Sequence, residues 1–269
     1  MNHDAPDFIP DSVSEASSES PAEGASPLPN NTPAPKIPLH RTGDNSRRVR
    51  RTRAIMRVLG DLCIMKTTCK VTLSGLEHVP QRGATIILYN HMTYLDPVLA
   101  CAPIRFRDNV PIGKKELSTN PFIGWISWMW STIPLKRGEL DMSALRRCLY
   151  VLQETSDVLS IAPEGHRYKA LGAPKEGFIM LAARTNAVMV PVGLSGQQHF
   201  RRNMLRLRRT PVTVSYGRPL RLRGKVGRGD YAAAAVEIMY QIAAQLPPEL
   251  RGAYGNLDQA TMRFIAYAD

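Results

Sequence analysis

The chain lacks any CxxC pair among its four cysteines (Cys63, Cys69, Cys101 and Cys148), and no His/Cys spacing suits a metal site. That excludes zinc-ribbon and thioredoxin-like readings; reduced thiols are expected, and none is a candidate nucleophile. No apolar run approaches the roughly 20 residues that a bilayer-spanning helix needs. Internal repeats are missing too. Residues 1–35 have no Lys or Arg; they are rich in Ser, Pro and Ala and carry the acids Asp4, Asp7, Asp11, Glu15, Glu19 and Glu23. Such a segment has neither the basic start nor the apolar stretch of a secretory signal. It cannot bury enough apolar surface to offset its ordering entropy, so residues 1–40 are expected to be a disordered acidic tail.

What remains is basic. The 269 residues hold 35 basic and 23 acidic side chains, and beyond residue 35 the balance is 35 against 17. A net +18 calls for an anionic partner: a membrane surface, nucleic acid, or acidic substrates and carriers. Residues 45–66 begin with an arginine cluster and continue with Ile55, Val58, Leu59, Leu62 and Met65 on one helical stripe. Arg57 and Asp61 interrupt it, so it does not span a bilayer. Such a basic amphipathic helix suits a membrane interface, or it packs on a core.

Hydrophobic content of 43% supports a sizeable core. From 67 to 255, short apolar strands alternate with helices. Strands are expected at 70–73, 84–89, 110–112, 132–135, 157–161, 187–192 and 211–216, and helices at 142–155, 177–185 and 231–245. This implies a single α/β layered domain, a mostly parallel or mixed central sheet flanked by helices. Residues 256–269 read as a tail or short helix. Residues 122–130 hold all three tryptophans, Trp125, Trp128 and Trp130, and no charge. They suit either a headgroup boundary or a buried core helix.

The chemistry concentrates at strand ends. His91 and Asp96 follow the apolar run 84–89, where α/β sheets build their sites. A neutral imidazole can take a proton from a hydroxyl, and a carboxylate on its other nitrogen fixes the tautomer. Positions five apart differ by about 140° on a helix and point to opposite faces of a strand, so the pair meets only if the backbone turns. Alternatively, Asp96 merely caps a helix opened by Pro97. Downstream, Lys114 and Arg137 end strands, where they suit a phosphate monoester. Glu164, Gly165, His166 and Arg167 follow another strand; Gly165 permits a tight turn, while Glu164 and Arg167 offer an acceptor and an anion-binding fork. Pro191 should demote its strand to an edge or a bulge.

In order, these blocks resemble the glycerolipid acyltransferase family, the 1-acylglycerol-3-phosphate acyltransferases and their relatives. The family's Asn-His, four residues, Asp pattern matches Asn90 to Asp96, and its Lys-x-Glu-Leu element and later Arg match Lys114, Glu116, Leu117 and Arg137. Its Pro-Glu-Gly-Thr-Arg block matches Pro163, Glu164, Gly165 and Arg167, with His166 in place of threonine. The Lys and Gly that follow match Lys175 and Gly177, and the Val-Pro-Val strand matches Val190-Pro191-Val192. The resemblance covers about residues 69–220.

It implies transfer of a fatty acyl group from acyl-CoA or acyl carrier protein to the free hydroxyl of a lysophospholipid acceptor, 1-acylglycerol 3-phosphate, giving phosphatidic acid. His91 would be the general base and Asp96 its orienting partner. Lys114, Arg137 and Arg167 would hold the phosphate, Glu164 and Gly165 the glycerol portion, with His166 beside it. No metal or organic cofactor is implied. The tryptophans and the basic helix would place the protein peripherally on the cytoplasmic face of the cell membrane. Lys136, where an acid often precedes the family's Arg, makes the phosphate pocket more positive. Rival acceptors are glycerol 3-phosphate, another lysophospholipid or a lyso-aminolipid; a silent lipid-binding protein is a further alternative. The basic run 201–209 fits a nucleic-acid backbone, yet no recognition motif accompanies it, so no nucleic acid is expected.

Overall fold

A computed structural model describes residues 47–115, 121–136 and 141–268. The acidic segment at 1–40, Glu116, Leu117 and Arg137 lie outside the described residues. Helix α1, Arg47–Leu59, continues as a wider π-helical winding, Gly60–Thr68, into strand β1, Cys69–Ser74. There follow β2 (Thr85–Tyr89), α2 (Asp96–Cys101), β3 (Asn109–Lys114), α3 (Pro121–Met129), β4 (Ile133–Leu135), α4 (Met142–Glu154) and β5 (Val158–Ile161). The remainder is α5 (Gly177–Thr185), β6 (Val188–Ser195), α6 (Phe200–Leu205), β7 (Thr210–Tyr216), β8 (Leu220–Leu222), α7 (Tyr231–Ala243) and β9 (Ile265–Tyr267).

The strands form one sheet ordered β1-β7-β6-β2-β5-β3-β4, with β8 and β9 attached beside β6. Strands β6, β2, β5, β3 and β4 run parallel, whereas β7 runs antiparallel to β6 and β1 follows β7. Every residue of β2 is buried, as expected of a parallel strand covered on both faces. Its alternation divides the core in two: Ile86 and Leu88 pack with α4, α5 and α7, while Ile87 and Tyr89 pack with α2. By contrast, β7 alternates buried and exposed positions.

Two findings depart from sequence expectation. Strand β6 is interior rather than an edge, despite Pro191, which pairs with Leu88 of β2 on one side. On the other side, β8 ends its pairing at Met189, β7 begins at Val192, and the Pro191 carbonyl accepts from Gly217 between them. The missing N–H therefore falls at a break between partner strands, where it costs no ladder bond. Next, residues 256–269, read as a tail or short helix, hold a one-turn helix at Leu257–Gln259 and strand β9, which pairs with β8. Buried Glu237 of α7 secures this segment by accepting from the Thr261 hydroxyl and the Arg263 and Phe264 N–H groups.

For helix α1 the sequence leaves two placements open, interface or core. It packs on the core, yet with its apolar stripe turned outward: Val58 is 63% exposed and Leu62 52%, with Ile55 and Leu59 also exposed. Two constraints set this rotation. Arg53 is buried and donates to Asp157 at 2.7 Å. At Gly60 an added Cβ would stand 3.0 Å from a Val98 methyl, so the winding packs tightly on α2 there. Met56 and Met65 turn inward instead. The neighbouring helix α3 also exposes Trp125 and Trp128, whereas Trp130 packs against the α2-side core.

Removing the Asp157 carboxylate would leave the buried Arg53 charge with only a 3.4 Å bond to the Ser131 hydroxyl and with Asp108 3.8 Å away, beyond hydrogen-bond reach. Asp157→Ala is expected to lower the unfolding free energy by about 3–5 kcal/mol. A urea titration measures it, and a loss below about 1 kcal/mol would contradict the anchoring role.

Candidate active site

The end of β2 is held by Asn90. Its buried amide donates to the Leu194 carbonyl at 3.0 Å and accepts from the Leu194 N–H at 2.8 Å, continuing the β2–β6 pairing through a side chain. The next residue, His91, starts a turn into α2, and that turn resolves the five-residue spacing. His91 Nδ1 lies 2.9 Å from Asp96 Oδ2. Asp96 also stands in the first turn of α2, directly before Pro97, but its side chain does not cap the helix and is directed to the turn instead.

Asp96 is fully buried and gathers donors from its own loop. Oδ2 accepts from the Met92 and Thr93 N–H groups, each at 2.6 Å, as well as from His91, while Oδ1 accepts from the Thr93 hydroxyl at 2.7 Å. The Thr93 hydroxyl in turn accepts from the Leu95 N–H at 3.2 Å. The carboxylate is thus fixed by contacts that close within six residues. With Nδ1–H committed to Asp96, Nε2 carries the imidazole lone pair. The His91 side chain is 18% exposed, unlike the fully buried Asp96.

Glu164, expected beside the acceptor's glycerol portion, is committed to main chain. It is 1% exposed; Oε1 accepts from the His91 N–H at 3.0 Å and Oε2 from the Gly172 N–H at 3.1 Å. Both oxygens hold main chain, one strut beneath His91 and one beneath the loop 165–176. Burial pushes its carboxyl up to about 7, against the lowering effect of those two N–H donors. Gly165 has φ +67°, and its N–H closes a turn onto the Ala162 carbonyl at 3.1 Å.

The strands that end at these residues are parallel, so His91 (after β2), Lys114 (ending β3), Lys136 (after β4) and residues 164–167 (after β5) occupy one edge of the sheet. Lys114, His166 and Arg167 are exposed there; His166 lies 6.3 Å from the Tyr168 ring, measured between ring centroids. The Arg167 guanidinium stacks 3.7 Å over the Tyr94 ring centroid and donates to its hydroxyl at 3.0 Å. Tyr94 and Thr93 were missed by sequence reasoning, although a Thr three residues before an Asp is a usable local-capping signal. Gly172 gave no signal at all. Burial pushes the Cys101 and Cys148 thiols up to about 12, so neither is a thiolate at neutral pH. Among the described residues, no group of three or more His, Cys, Asp or Glu could hold a metal ion.

Residues 70–195 match the Acyltransferase family model. The chain is 32% identical over 133 residues to a chloroplastic 1-acyl-sn-glycerol-3-phosphate acyltransferase of Arabidopsis thaliana, covering 47% of this chain and 36% of that one. It is 27% identical over 145 residues to a 1-acyl-sn-glycerol-3-phosphate acyltransferase of Streptococcus pneumoniae, covering 54% and 53%. The chain therefore spans well under two thirds of the length of these curated relatives. Its fold is similar to the crystal structure of the 1-acyl-sn-glycerophosphate (LPA) acyltransferase PlsC from Thermotoga maritima, with TM-score 0.56 and 20% identity, covering 82% of this chain and 87% of that one.

Glu164 makes stability depend on pH. Its folded value of about 7 lies above the ordinary 4.5, so the native chain keeps a proton that the unfolded chain releases across that interval. Stability should fall as pH rises from 4.5 to 7 and level off above, relative to Glu164→Gln, which has no such titration. Urea unfolding at stepped pH measures the difference, expected to be on the order of 1–3 kcal/mol; parallel profiles for the two proteins would rule it out.

Proposed function

We propose, from the match of residues 70–195 to the Acyltransferase family model, that the chain moves a fatty acyl group from acyl-CoA or acyl carrier protein to the free hydroxyl of 1-acylglycerol 3-phosphate, making phosphatidic acid. The observation that carries this reading is the 2.9 Å contact between His91 Nδ1 and the buried Asp96 carboxylate at the end of a parallel strand. In the proposed step, Nε2 takes the acceptor's hydroxyl proton as the oxygen attacks the thioester carbonyl. The new C–O bond forms, the C–S bond breaks, and the proton passes from Nε2 to the departing thiolate. No acyl-enzyme is required, and the chemistry calls for no metal or organic cofactor.

Asp96 orients the imidazole and stabilises its cation. Arg167 and Lys114 supply positive charge for the acceptor phosphate, with Arg137 proposed for the same task and His166 beside the headgroup. Glu164 is a positioning residue, since its oxygens are used on the main chain of His91 and Gly172. Gly165 lets the loop turn beneath them.

The outward stripe of α1 with Trp125 and Trp128 supports peripheral seating on an anionic membrane, on the cytoplasmic face of the cell membrane. Among the described residues, no helix is long and apolar enough to cross a membrane. In this seating the 45–66 segment is the membrane helix and 67–255 the acyltransferase domain. Glycerol 3-phosphate or another lysophospholipid remains the rival acceptor, because a cationic cradle recognises phosphate without choosing its bearer.

Transfer of a labelled acyl group to a panel of acceptors tests the reading. His91→Ala should lower kcat by at least about 10³-fold, whereas Arg167→Ala should chiefly raise KM for phosphate-bearing acceptors. A wild-type rate from His91→Ala would eliminate the base assignment. Equal use of acceptors with and without phosphate would eliminate the cradle.

A further inference from the structure

After β6 the chain turns at Gly196 (φ +91°), and buried Gln197 donates to the Leu194 carbonyl at 3.2 Å. Phe200 packs against the core, which roots α6. Beyond that root the polarity reverses. Leu205 is 78% exposed and Leu207 97%, with Met204 also exposed. Leu207 has φ +50°, a backbone region that leucine rarely adopts. The outward tip is nevertheless built: the Arg206 and Arg208 N–H groups donate to the Asn203 carbonyl, and the Leu207 N–H donates to that of Met204.

Arg201, Arg202, Arg206 and Arg208 surround these side chains and are all exposed, and no acidic residue occurs from Gly177 to Gly229. The loop's place in the fold is equally specific. Strand β6 is parallel to β2, so a loop leaving the end of β6 projects from the sheet edge that carries His91. Arg209 ties its far end to the Cys69 carbonyl, with Nε at 3.1 Å and Nη2 at 2.6 Å, where the π-helical winding that exposes Leu62 has just finished.

We infer that the α6–β7 loop is a second membrane footing, inserting Leu205 and Leu207 into an anionic bilayer while its arginines meet the headgroups. The inference rests on the membrane-peripheral reading above and extends it to a new element. Arginines alone would serve a nucleic-acid backbone or an acidic protein as well. The leucines decide: an apolar side chain at the tip of a convex loop, almost wholly in water, gains most from a fluid apolar phase. Two footings, α1 with α3 and this loop, would set the reactive edge of the sheet towards the lipid that supplies its acceptor.

Vesicle flotation of the full chain tests it, with phosphatidylcholine vesicles with and without phosphatidylglycerol. Leu205→Ser/Leu207→Ser and Arg206→Gln/Arg208→Gln should each reduce partitioning onto anionic vesicles at least about tenfold. Leu207→Asn suits a left-handed backbone and separates lost insertion from lost folding, because it should weaken flotation without lowering the thermal midpoint. If wild type floats and the loop variants float equally, this inference falls while the α1–α3 footing stands. If wild type floats on neither vesicle, both fall. Loop variants that float normally but lose binding to an acidic carrier protein or to duplex DNA would reassign the loop to that partner and overturn the inference.

Discussion

Everything at the reactive edge depends on the buried carboxylate of Asp96. Four donors from the segment His91–Thr93 converge on its two oxygens, so a short stretch of chain folds around one anion. The same contacts turn the backbone from β2 into α2 and hold the imidazole through Nδ1. Turning and orienting are therefore one act. Were the carboxylate lost, the loop would lose its fold along with the orientation of Nε2. Glu164 supports the arrangement from beneath, through the His91 N–H. A base held on its ring by one acid and on its main chain by another has little freedom left to lose when a reactant arrives.

The two edges of the sheet are built differently. At the edge where the parallel strands begin, arginines are spent on structure. Arg107 is buried and donates to the carbonyls of Pro80, Gly83, Ser156 and Asp157 and to the Thr85 hydroxyl, while Arg53 ties α1 to Asp157. At the opposite edge, which also carries His91, Lys114, Arg167 and the arginines of the α6–β7 loop are exposed. A chain this basic thus divides its cations by location, some fixing the framework and others facing an anionic phase. The exposed leucines of the α6–β7 loop accompany the second group, and α1 and α3 expose further apolar side chains.

Much of this was legible in the sequence, and the losses have physical causes. Strands β2, β5 and β6 were readable because parallel strands covered on both faces appear as nearly uninterrupted apolar runs, and β7 because its buried and exposed positions alternate. The short strands β8 and β9 were not, since three residues carry no period and β9 is secured by Glu237, an acid on an otherwise apolar helix face. Pro191 misled because its cost depends on which neighbours lie beside it, and those come from β7 and β8, later in the chain. His91 and Asp96 were found because their contact is local. The resemblance implies a substrate-positioning role for Glu164, whereas its main-chain partners, His91 and Gly172, lie 73 and 8 residues away and leave no local signal. The stripe on α1 was seen correctly, but the facing of a helix is decided by tertiary contacts, here Arg53 with Asp157 and Gly60 against Val98.

The most direct test of the central claim is the tautomer of His91, read from the ¹⁵N chemical shifts of its ring at neutral pH. The account requires a protonated Nδ1 and a bare Nε2, with that preference lost in Asp96→Asn. A bare Nδ1 in the wild-type protein, or a tautomer indifferent to Asp96, would contradict it.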